Sequence, residues 1–204
     1  MLDHVLRRMG FGASAADLDQ FARAPIVGVI GYLLNYDRAP DDVDTKVNDP
    51  AYIGVTTRGQ FQPNTVVNDA RQRWLFRMVH TQRPLQEKLA LFWHNHFATA
   101  YSKVAGTFGG EHGTKMMDGK ASEVAGNRPG QIQLFRDMAT GRFDDLLIAV
   151  AKDPAMLIWL DGRLNVRARP GVVAGNPVVD QLRYGAEVTI YEESPVAGVA
   201  WYRI

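Results

Sequence analysis

PLQEKLALFWHNHF, residues Pro84–Phe97, holds two of the chain's five histidines and sets them between large aromatic residues. Proline at its head suits the first turn of a helix, where the missing N–H is not needed. Apolar residues follow at helical spacing. In a regular helix each residue turns by about 100°. Measured from Leu85, Leu89 falls at roughly 40°, Phe92 at roughly 340° and His96 at roughly 20°, so His96 is expected in the middle of a buried apolar stripe. His94 falls near 180°, on the side of Glu87, and the two imidazoles are expected to point about 160° apart. An unbroken helix of this kind cannot bring both rings to one metal ion, because the usual helical ligand pair is i, i+4. An His-x-His pair ligates from a strand, or from a place where a helix ends.

Two roles for this segment stay open. One is structural: a buried imidazole whose nitrogens are met by Asn, Asp or Arg from another helix, since a buried polar group without partners costs a few kcal/mol. The other is chemical: His94 and His96 as catalytic or metal-ligating residues of a histidine-dependent hydrolase, with a divalent cation such as zinc or manganese. His4 would then be a third imidazole, although its place beside Arg7 and Arg8 equally suits an exposed face. His80 and His112 have no recognisable partner in the sequence. Other catalytic signatures are absent: there is no GxSxG, no phosphate-binding loop ending in Lys-Ser or Lys-Thr, and no HExxH.

Around this segment the chain reads as helical. Leu2, Val5, Leu6 and Met9 follow the helical rule, and Gly10 and Gly12 stop that helix. Ser14 is an N-cap supported by Asp17. Pro25 opens a third helix running to about Asn35. Residues Asp37 to Asn64, polar and rich in Asp, Gly and Pro, read as a long loop. Thr65 to about His80 returns to helix, with Val67, Ala70, Trp74, Leu75 and Met78 as the expected apolar side and Arg71, Arg73 and Arg77 elsewhere. The glycine-rich residues Val104 to Pro129 read as an ordered excursion or a mobile loop. Helix resumes at Gly130–Thr140 and Phe143–Ala151, and Asp153 caps a last helix that begins at Pro154 and stops at Gly162. After Leu164 the grammar changes to short runs of Val, Ile and Tyr between Gly, Pro and Asn, which is that of strands.

Composition narrows the function classes. An apolar fraction of 46%, a charged fraction of 22% and a net charge of +1 describe an ordinary globular protein and give no reason to expect nucleic acid as partner. Without cysteine there is no disulfide, thiolate nucleophile or cysteine-held zinc. The longest apolar run, Pro25–Leu34, is well short of the roughly 20 residues of a membrane span. MLDHVLRRMGFG reads as an amphipathic helix and not as a signal peptide, so an export signal would lie outside this chain.

HVLRRMGFGAS (His4–Ser14), RWLFRMVHTQRPLQEKLALFWHNHFAT (Arg73–Thr99) and GRFDDLLIAVAKDPAMLIWLDG (Gly141–Gly162) together resemble the bacterial family known as domain of unknown function 1800. The resemblance implies a mainly helical protein, often exported, with no established activity. The acidic helix that follows the LDG region in that family is missing here. Leu164–Ile204 is similar instead to a bacterial SH3-like domain: LNVRARPG matches its first strand and turn, LRYGAEVTI its middle hairpin and WYRI its penultimate strand. That likeness implies envelope or cell-wall association, with peptidoglycan or a cell-wall peptide as partner and Tyr184, Tyr191 and Tyr202 as candidate ligand-facing aromatics. Trp201 alternates with Tyr202 and is expected in the core. A closing strand is not seen, so the barrel is expected to be incomplete. The expected architecture is a mainly α helical domain over residues 1–162, then a small incomplete all-β SH3-like barrel over 163–204. The expected role is binding or scaffolding at the envelope.

Overall fold

The structure is a computed structural model. It describes residues 1–47, 49, 51, 59–124, 127–161, 163–167, 178–183, 192–196 and 199–203, those from 163 onward as backbone alone. The chain divides into two compact units, Met1–Met156 and Leu157–Ile204.

The first unit is helical. Its helices are α1 (Leu2–Met9), α2 (Ala15–Phe21), α3 (Ile26–Leu34), α4 (Val67–His80), α5 (Pro84–Phe97), α6 (Tyr101–Phe108), α7 (Gly110–Asp118), α8 (Gln131–Asp137) and α9 (Phe143–Ala151), and α10 (Pro154–Trp159) straddles the division. Leu6 of α1 buries against Val29 and Leu33 of α3, with Leu18 and Phe21 of α2 packed beside them. The turn into α2 is a capping box: the Asp17 amide donates to Ser14 Oγ at 3.1 Å, and the Ser14 amide donates to Asp17 Oδ2 at 2.8 Å. Each bond satisfies an amide that the helix start leaves over. In the connection from α3 to α4, two short 3-10 turns bury Tyr36 and Val43. Arg83 holds that connection by donating to the Ala39 carbonyl at 2.8 and 2.6 Å.

Much of the glycine-rich stretch is ordered, and as helix, not as loop. Residues Tyr101–Phe108 and Gly110–Asp118 are two helices that turn at Gly109, whose φ of +86° a residue with a Cβ rarely adopts. Gly113 lies so close to α6 that a Cβ there would come within 2.8 Å of Ala105 Cα. Glycine here permits close helix packing, a use that sequence does not separate from loop formation.

In the second unit, β1 (Arg163–Arg167) pairs antiparallel with β2 (Val178–Arg183), and β3 (Glu192–Val196) with β4 (Val199–Arg203). These are two two-stranded sheets. Strands are thus present where the sequence grammar changes. Tyr184 and Tyr191 lie outside the described residues. Tyr202 stands opposite Glu193 in the β3–β4 register.

Candidate functional site

Helix α5 buries Leu85 of the expected apolar stripe, with Leu89 partly buried, but also the Glu87 side, and it leaves the stripe's C-terminal half outside. Leu85, Gln86, Glu87 and Ala90 are buried, whereas Phe92 is 53% exposed and His96 is exposed. The reason is a carboxylate matched by guanidinium groups from two other helices. Glu87, fully buried, accepts from Arg77 Nε at 2.9 Å and Arg136 Nε at 2.9 Å through Oε1, and from Trp74 Nε1 at 3.0 Å through Oε2. Helix α4 keeps Ala70 of its expected apolar side buried and Val67, Trp74 and Met78 partly so, but draws charged residues in as well. It buries Asp69, Ala70, Arg73, Phe76 and Arg77; Leu75, expected on the apolar side, is 61% exposed, and Arg73 and Arg77, expected off it, are buried.

The network extends from there. Arg77 also donates to Asp44 at 3.0 Å and Asp41 at 2.7 Å, both in the α3–α4 connection. Arg73 donates to Glu123 at 2.9 Å and to the carbonyl and carboxylate of Asp118 at 2.7 and 3.1 Å. Lys120 closes on Asp44. Burial alone would depress the pKa of Arg77, but Glu87, Asp41 and Asp44 reverse this and hold it above the ordinary arginine value. Burial likewise raises Asp44, and its bond to Lys120 with the charge of Arg77 more than offsets that, leaving it below the usual carboxylate range. Asp118 goes the other way: burial outweighs Arg136 and Arg73, and its pKa is raised. Charges matched at this density fix the positions of α4, α5, α7 and α8 around them.

Beside the network lies a cavity of about 290 Å³. Its walls include Arg71 and Trp74 of α4, His94 of α5, Thr99, Tyr101 of α6 and Asp118 of α7. Helix α5 ends in Ala98, held at a left-handed φ of 52° with its amide bonded to the His94 carbonyl at 2.9 Å. That conformation costs a residue with a Cβ about 1–2 kcal/mol, and the turn brings Thr99 into the wall. Three wall residues each carry a buried polar atom with no hydrogen-bond partner in the protein: His94 Nδ1, Thr99 Oγ1 and Asp118 Oδ1. Arg136 stands 3.9 Å from Asp118 Oδ1, too far for a hydrogen bond. His94 meets Trp74 edge-on at 5.5 Å, and burial lowers its pKa, so the imidazole is neutral at pH 7. The Trp74 N–H is engaged by Glu87, and the Tyr101 hydroxyl donates to the Gly110 carbonyl at 3.2 Å, so both residues offer ring surface to the cavity.

The histidines proposed from sequence are not brought together. His94 lines the cavity, while His96 packs among the rings of Phe92, Trp93 and Phe97 on the exposed side. His4 is exposed on α1. Among the described residues no group of three or more His, Asp and Glu is placed to hold a metal ion. Residues that the sequence reading missed are Glu87, Arg73, Arg77, Arg136, Asp118 and Thr99. A signal for some of them was present: Asp69, Arg73 and Arg77 recur every four residues, a single stripe along α4 that buries as one face.

A protein-family model described as "Protein of unknown function (DUF1800)" matches residues 4–181. The match takes in nearly all of the helical unit and continues through β1 into β2. No curated protein and no solved structure matches the chain.

Proposed function

The chain belongs to the DUF1800 family, a family of unknown function, and from that premise we propose that its helical unit binds a small polar molecule in the cavity between α4 and α7. The cavity itself supports this reading: Arg71, His94, Thr99 and Asp118 stand on its wall beside the rings of Trp74 and Tyr101. Its volume falls at the small end of ligand pockets, which begin near roughly 300 Å³. In this reading the Glu87 network is the rigid frame that sets the wall residues, and His94 and Asp118 are binding groups.

The C-terminal residues are the attachment module in the same proposal. Their likeness to SH3-like domains, together with antiparallel strand pairs in that region, supports a role in holding the protein at the bacterial envelope, with peptidoglycan or a cell-wall peptide as the partner. Nothing in the arrangement favours the histidine-centred hydrolase.

A thermal-shift screen of the full chain against chemically diverse small molecules tests the cavity. Binding to the folded state raises Tm by mass action. At least one compound class should raise it, and Ala100→Phe, which fills the cavity from its wall, should abolish the rise. If no class shifts Tm, or if the Phe variant responds as the parent does, the binding reading fails.

A further inference from the structure

Resting on the cavity as a binding site, we infer that its ligand is a small organic acid, with one carboxylate received by Arg71 and a flat apolar body laid against the rings of Trp74 and Tyr101. Val67, Ala70, Arg71 and Trp74 line the cavity from α4. They fall at i, i+3, i+4 and i+7, so a single face of that helix looks onto it. Arg71 stands on the wall and is exposed, which places its charge where the cavity meets solvent. It meets Asn68 Oδ1 at 3.5 Å and lies over the Tyr101 ring at 5.9 Å. Both of these partners are uncharged, and among the described residues Arg71 has no ion pair.

The other ionisable groups of the wall do not supply the missing counter-ion. Asp118 is paired with Arg73, its Oδ2 at 3.1 Å from the guanidinium. Arg73 lies two residues beyond Arg71 and therefore about 200° round α4, off the face that looks onto the cavity. His94 is neutral at pH 7, because burial lowers its pKa. The charge left without a partner on this wall is therefore positive. The start of α6 adds to the same sign, since Ala100 and Tyr101 stand on the wall and the helix has neither a capping side chain nor an acidic residue in its first turn. An ammonium-bearing ligand would meet Arg71 with repulsion, and a dianion would keep one charge unmatched. A guanidinium receives a single carboxylate through two parallel N–H donors. The rest of the wall takes the apolar body. The Trp74 N–H donates to Glu87 and the Tyr101 hydroxyl to the Gly110 carbonyl, so both residues offer ring surface, and Met117 and Ile132 add to it.

Titration calorimetry of the full chain with 3-phenylpropionate, 3-phenylpropionamide and 3-phenylpropylamine tests the class, because the three share a skeleton and differ in charge. The acid should bind about fivefold or more tightly than the amide, and the amine most weakly. High salt should weaken the acid and spare the amide. Arg71→Gln, at an exposed position, should leave the Tm of the ligand-free protein unchanged and cost the acid its advantage, so that acid and amide bind alike. Arg71→Lys keeps the charge and should keep the acid ahead. Ala100→Phe should abolish binding of the acid. Equal or tighter binding of the amide or the amine overturns the inference, as does an acid preference that survives Arg71→Gln or acid binding that survives Ala100→Phe. If none of the three binds while another class gives the cavity-dependent Tm rise, the acid inference falls and the binding reading stands. If nothing binds in either experiment, both fall.

Discussion

Asp153 does two jobs with one oxygen. Its Oδ2 accepts from the Met156 amide at 2.8 Å, capping α10, and from Gln131 Nε2 at 2.8 Å. Both Asp153 and Gln131 are buried, and burial lifts the Asp153 pKa to about 6. An unfolded aspartate titrates near roughly 3.9. The folded state therefore keeps the proton to higher pH than the unfolded state, so it binds more protons between about pH 4 and pH 6. The stability that follows is fully present below the unfolded value and is lost as pH rises through about 6, an effect on the order of 3 kcal/mol. Asp153→Asn keeps a capping oxygen but has no proton to lose. Urea midpoints measured from pH 4 to pH 7 should fall less for the variant than for the parent, and parallel profiles would refute the assignment. Asp44, whose pKa is lowered, contributes with the opposite sign in both proteins and cancels in the comparison. The cap itself was legible in KDPAMLIW, from an Asp before a Pro at the helix start. The titration was not, because it depends on Gln131 and on burial, neither of which the local sequence contains.

Helix α5 shows how far periodicity reaches. Pro84 marks its start, and the continuous turn that points His94 and His96 in different directions follows from helix geometry. Which of the two faces inward does not follow. The helix has an apolar side through Leu85, Leu89 and Phe92 and a polar side through Glu87; the first turns of the apolar side are packed, but Phe92 and His96 are left outside. Arg77 and Arg136, 10 and 49 residues away from Glu87 in sequence, draw the polar side in as well. The same selection on α4 leaves Leu75 outside and draws Arg73 and Arg77 in. Two substitutions rank the faces. Glu87→Gln takes the counter-charge from Arg77 and Arg136 and should cost about 3–5 kcal/mol, the range for breaking a buried ion pair from one side. Leu75→Ser, at an exposed position, should stay within about 0.5 kcal/mol. Guanidinium unfolding reads both, and a larger loss for Leu75→Ser would restore the apolar face as the buried one.

Across the chain, the two kinds of sequence grammar correspond to two kinds of structure. The helical unit carries the Glu87 network and the cavity, whose wall residues all fall between Val67 and Ile132. The strand pairs begin at Arg163. The helical part was legible because caps, prolines and the 3.6-residue period are local signals. The cavity was not, since its wall joins five separate helices. If ligand binding belongs to one unit and envelope attachment to the other, the two activities separate on truncation. A chain ending at Asp161 retains every residue of the cavity wall and network, so its Tm should still rise with the ligand that the screen identifies. Its retention on purified cell-wall sacculi should fall to the level of an unrelated protein, while the full chain is held. Unchanged retention of the truncated chain would remove residues 163–204 from the attachment role. Loss of the ligand response in a truncated chain that still unfolds cooperatively would mean that the site needs the C-terminal residues, and the division of labour between the units would be wrong.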